Sequence, residues 1–155
     1  MMNKIILSIL FLCMAGCATV NIPNYIDPQH PYVRKVYGNY DAIVTAVRQV
    51  LADEGWAVQS ETSPSTYERD DSAQNSTTGG VLLFTSVKQH SKFLYSSYTH
   101  LNAFIRPMAD GAQVEIRYAC LTPLGIKQFK GTRNDKLVDR ILDAVERRSE
   151  SISSP

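Results

Sequence analysis

The feature that most constrains this chain lies in residues 81–121, where apolar side chains recur at alternate positions around an Asp110-Gly111 pair. A period of two puts successive side chains on opposite faces of a pleated strand, and Asp-Gly between such runs signals a tight hairpin turn. Residues 113–121 are the clearest case. Val114, Ile116, Tyr118 and Cys120 fall on one face and Glu115 and Arg117 on the other, as in a strand half buried against a core. Residues 81–87 and 98–106 read as strands before it, and 126–130, beyond a turn at 123–125, as a last one.

Two helical patterns flank these strands. In 39–54, Ile43, Ala46, Val47, Val50 and Leu51 make one apolar stripe. Asn39 is placed to cap its start, Asp41 suits the positive end of the helix dipole, and Gly55 fits the position just past the last turn. Residues 56–61 then alternate as a strand, with Trp56 expected in the core. Near the C-terminus Leu137, Val138, Ile141, Leu142 and Val145 form a second stripe, opened by a Thr132–Asp135 capping box or by Asn134. Helices on either side of a run of antiparallel strands predict an α+β fold, a two-layer sandwich. Its antiparallel sheet would have about five strands, with two helices packed on one face. Composition fits one such domain: 155 residues, 44% hydrophobic and 20% charged, have enough apolar mass for a core. With 16 Lys+Arg against 15 Asp+Glu there is no electrostatic case for a nucleic-acid partner.

The N-terminus carries a different kind of message. Lys4 precedes an apolar run over 5–14, and Ala15-Gly16-Cys17 follows. A basic start, an apolar stretch and small residues are the grammar of a secretory signal, and the run is shorter than the roughly 20 residues a spanning helix needs. Met14-Ala15-Gly16-Cys17 resembles the lipobox of bacterial lipoproteins, with Met14 where Leu is more usual. The resemblance implies a diacylglycerol thioether on Cys17, cleavage before it and acylation of the new amine. In diderm bacteria Ala18 after the cysteine implies transfer to the outer membrane. Removing residues 1–16 removes Lys4, so acidic and basic side chains then balance at 15 each. The lipid, not a polybasic patch, would carry the membrane affinity.

The expected organisation is therefore a signal peptide at 1–16, a lipidated Cys17 with a Pro-rich tether to 35, one α+β domain over 36–148 and a polar, frayed tail at 149–155. Pro23, Pro28 and Pro31 disfavour helix in the tether, although Tyr25, Ile26 and Tyr32 have the alternative of packing along the domain. Residues 62–80, poor in large apolar side chains, read as a flexible loop.

Candidates for chemistry are few. His30, His90 and His100 have no metal-ligand spacing, and His90 is expected in a turn. Cys120 sits on the apolar face of its strand, where a free thiol behaves as a small hydrophobe. No nucleophile elbow or phosphate loop is present, so no metal, cofactor or enzymatic activity is expected. The one surface candidate is 88–98: Phe93, Leu94, Tyr95 and Tyr98 follow a polar Lys88–Lys92 stretch. Such a patch would suit a protein partner in the envelope, unless a strand simply begins at Phe93 and buries Phe93 and Tyr95. The architecture is similar to that of small periplasmic accessory lipoproteins. The resulting expectation is a lipid-anchored, non-enzymatic accessory or partner-binding domain; the alternative is a binder of lipid or peptidoglycan fragments.

Overall fold

The longest strand, β5 (Tyr95–Met108), organises the sheet. A computed structural model describes residues 23–27, 31–67, 79–92, 95–121 and 134–153 of the chain. Along one edge β5 pairs from Tyr98 to Met108 with β6 (Gly111–Leu121). Its other edge takes two strands in succession, β3 (Val81–Thr85) and β4 (Lys88–Lys92). β1 (Tyr32–Tyr37) closes the sheet beside β6, and β2 (Val58–Thr62) beside β3. All pairings are antiparallel, in the order β1-β6-β5-β3-β2 with β4 on β5. Helices α1 (Tyr40–Asp53) and α2 (Asp135–Ser153) pack together over one face, so the α+β sandwich expected from the sequence is what the chain forms.

Local chemistry explains the joints. Between β3 and β4 the ladder is interrupted, and the Thr85 hydroxyl substitutes for it. Its Oγ1 donates to Leu101 O at 2.8 Å and accepts from Leu101 N at 3.3 Å, leaving neither buried backbone group unpaired. Pro107, which has no N–H, occupies the part of β5 that extends beyond β3. The β5–β6 turn is Ala109-Asp110, one residue earlier than the Asp-Gly signal suggests, because Gly111 already pairs with Met108. Gly111 serves another purpose: a Cβ there would stand 2.1 Å from Val36 O, so only glycine lets β1 come this close. At α1, Asn39 Oδ1 accepts from Asp41 N and Ala42 N at 2.9 and 3.1 Å, and Gly55 follows the helix at φ +75°. Asn134 provides a cap for α2, accepting from Leu137 N at 3.2 Å, while Thr132 of the capping-box alternative lies outside the described residues.

The main core lies between the helices and the sheet. Ile43, Val47, Leu51, Trp56, Leu83, Leu101, Ile105, Val114, Ile116, Val138, Ile141 and Val145 all belong to it. Burying each large side chain contributes about 1.5–3 kcal/mol. Arg140 forks onto Glu54 at 2.8 and 2.6 Å, and Arg34 of β1 pairs with Asp143 of α2, tying helices and edge strand together.

Several expected boundaries move. The domain begins before residue 36, since Tyr32–Tyr37 form an edge strand instead of tether: Tyr32, Arg34 and Val36 face α2 and the core. The tail expected to fray from 149 is instead helical to Ser153, and Ser149 is buried with its Oγ on Glu146 O at 2.8 Å. Lys88–Lys92 is a strand, so His90 stands on β4 with Nε2 3.3 Å from Thr99 Oγ1 rather than in a turn. Within 62–80, Thr62 ends β2 and Pro64–Thr66 make a 3-10 turn. Residues 126–130, and Cys17 with the signal region, lie outside the described residues.

Candidate functional site

The sheet has a second face, away from the helices, and there the sequence pattern proves least representative of a solvated surface. On β5 the side chains alternate: Leu101, Ala103 and Ile105 enter the main core, while His100, Asn102 and Phe104 point the other way. Register places Asn102 opposite Arg117 and Phe104 opposite Glu115 on β6. The period-two reading assigned Glu115 and Arg117 to the outer face correctly, but they are not in water. Their side chains are 5% and 2% exposed.

What covers them is the N-terminal segment 23–27, with Tyr25 and Ile26, the packed alternative for this part of the tether. Asn102 uses both ends of its amide on this backbone: Nδ2 donates to Asn24 O at 3.1 Å and Oδ1 accepts from Ile26 N at 2.8 Å. Arg117 Nη1 donates to Tyr25 Oη at 2.9 Å and to Ile26 O at 3.2 Å. His100 Nδ1 lies 3.2 Å from Pro23 O, a contact in which the carbonyl can only accept. A segment without a strand partner thus has its polar backbone satisfied by side chains, in place of water.

Charge holds the clamp together. Arg117 Nε donates to Glu115 Oε1 at 2.5 Å, and Arg106 reaches Glu115 Oε2 at 3.4 Å. The Arg117 guanidinium also lies against two rings, 4.9 Å from the Phe104 centroid and 5.3 Å from that of Tyr25. Tyr25 stacks on Tyr67 at 5.2 Å, and Tyr67 meets Phe84 edge-on at 5.3 Å, extending a small second core of Leu82, Phe84 and Phe104. Burial holds the His100 imidazole below its usual range, opposed more weakly by hydrogen bonds to the backbone of Pro23 and Thr85. Chemically this arrangement binds and fixes a peptide backbone.

The residues singled out from sequence fare unevenly. Tyr98 is half-buried on β5, Tyr95 opens the same strand, and Phe93 and Leu94 lie outside the described residues. β4 pairs with β5 alone, so its other edge, from Lys88 to Lys92, meets no described strand. Cys120 is half-buried with a free thiol. Trp56 is in the core, its ring under Lys88 Nζ at 4.0 Å. It lines neither of two open depressions, one of about 360 Å³ beside Val50, Glu54 and Arg147, the other of about 440 Å³ beside Asn39 and Ile152. Among the described residues no three His, Cys, Asp or Glu side chains gather as metal ligands, and no helix is long and apolar enough to cross a membrane. No protein-family model and no curated protein matches the chain.

The clamp residues His100, Asn102, Glu115 and Arg117 are what the sequence reading missed. The available signal was the outward face of β5, where His and Asn share alternate positions with Phe104, too apolar a neighbour for an open surface.

Proposed function

We propose that this protein is a lipid-anchored cell-envelope lipoprotein. Its α+β domain acts without chemistry of its own, as an accessory or partner-binding module on the periplasmic side of the outer membrane. The observation that carries the reading is Met14-Ala15-Gly16-Cys17 at the end of the apolar run, the one arrangement in the chain with a specific chemical consequence. The clamp supports it: the segment His100, Asn102 and Arg117 grip begins only six residues beyond Cys17. A domain that seizes the chain this close to its anchor is held at the membrane instead of swinging on a long tether. The outer edge of β4, which meets no strand among the described residues, offers a protein partner a place to add one.

Intact mass and membrane fractionation of the native protein beside Cys17→Ser test the reading. Loss of residues 1–16 with gain of acyl mass, and release or non-cleavage of the variant, is the expected result. A soluble, unacylated wild type cut elsewhere overturns it. Crosslinking in intact envelopes then identifies the partner.

A further inference from the structure

Exposed apolar side chains are distributed very unevenly over the two sides of this domain. Six large hydrophobic residues are exposed among those described, and four of them, Val33, Tyr37, Tyr67 and Met108, lie on the clamp side of the sheet. Register fixes three of these. Val33 and Tyr37 alternate with Val36, which faces the core, and Tyr37, Gly111 and Met108 stand abreast across β1, β6 and β5. Tyr37 is the most open, at 66%. Lys35, exposed between Val33 and Tyr37, shares their face. A monomer in water gains nothing from gathering such side chains on one side.

We propose that this face of the sheet lies against the lipid bilayer, with the helices turned to the aqueous compartment; the proposal rests on the lipid anchor at Cys17. The decisive argument is reach. Pro23 is seated on this face over His100, and the six residues back to Cys17 span at most about 20 Å even fully extended. A bilayer holding the acyl chains is therefore on the clamp side, and the helices lie on the far side of the sheet. The side chains suit that neighbour. Tyrosine combines an apolar ring with a polar tip and concentrates where hydrocarbon meets headgroups, while Val33 and Met108 supply apolar area. Lys35 places a cation where anionic headgroups would be.

The test uses the full, lipidated chain with Cys120→Ala, reconstituted in phosphatidylethanolamine and phosphatidylglycerol vesicles. A fluorescent label is placed through Tyr37→Cys or, on the opposite side, Arg147→Cys. Quenching by a headgroup nitroxide lipid is expected to be severalfold stronger at 37 than at 147, and quenching by aqueous iodide severalfold weaker. Val33→Cys replaces Tyr37→Cys if the latter does not fold. Equal lipid quenching at both positions, on protein whose mass shows an acylated Cys17, overturns the orientation and leaves the anchor standing. Protection of position 37 from iodide without lipid quenching means that a second copy of this chain covers the face, and also overturns it. An unacylated Cys17 removes both this orientation and the reading beneath it.

Discussion

The two faces of the sheet are both closed to water in their central part, yet by opposite means. On the helical face Leu101, Ile105, Val114 and Ile116 meet Ile43, Val47, Leu51 and Ile141, and contact is almost wholly apolar. On the other face a Glu115–Arg117 pair, Asn102 and His100 hold five residues of irregular backbone. Apolar contact is non-directional and tolerates sliding, so it builds a fold without fixing where a loose segment lies. Hydrogen bonds to Asn102 and Arg117 fix register, because moving the segment by one residue strands several buried polar groups. The helical face is the part that folds; the clamp face is the part that positions.

The sharpest way to break this comparison is Arg117→Ala. It leaves the Glu115 carboxylate buried without its main partner, at a cost of about 3–5 kcal/mol in urea unfolding. Arg117→Met with Glu115→Leu removes both charges, and its stability is expected to stay near wild type. Protease cleavage within 23–27 should nevertheless rise sharply, since the Ile26 carbonyl loses its Arg117 donor. If the double variant keeps that segment protected, stacking on Tyr25 and Tyr67, not charge, holds it.

Ile43→Ala is the matching test of the helical face. Ile43 is fully buried on α1, and its truncation is expected to lower unfolding free energy by about 2–5 kcal/mol. Unlike Arg117→Ala in the native state, it should leave residues 23–27 protected until the whole domain unfolds. Loss of that protection at low urea would show that the two faces are not separable. A smaller effect, about 1 kcal/mol, is expected from Asn39→Ala, which removes the cap on Asp41 N and Ala42 N while touching neither face of the sheet.

The same contrast explains what could be read in the sequence. The helical face was legible because both of its patterns are local: Ile43 to Leu51 at period 3.6 and Val114 to Tyr118 at period two each declare a buried side. The break between β3 and β4 was not, because it depends on one hydroxyl, Thr85, meeting Leu101 sixteen residues away. Nor was the clamp. Glu115 and Arg117 alternate as a solvated strand face does, and only the return of residues 23–27, 91 positions earlier for Ile26 and Arg117, turns that face inward. The turn at Ala109-Asp110 shows a subtler limit: the sequence marks Gly111 correctly as special, but for the approach of β1 and not for the turn itself.

His100 provides the finest probe of the clamp. Its folded-state pKa lies below the ordinary value of 6.5, chiefly because burial disfavours the imidazolium. The unfolded chain consequently binds a proton first as pH falls. The stability conferred by neutral His100 is thus complete above about pH 6.5 and is lost as pH drops through 6.5 toward the folded value. Because segment 23–27 covers His100 and its departure would hydrate the imidazolium, this loss is expected to appear first as greater amide exchange in residues 23–27, with α1 unchanged. His100→Asn should flatten that local pH dependence over the same range while the helical core keeps its urea midpoint. An acid response spread equally over α1 and the clamp would instead assign it to the carboxylates of the whole domain, and the two faces would then share one electrostatic fate.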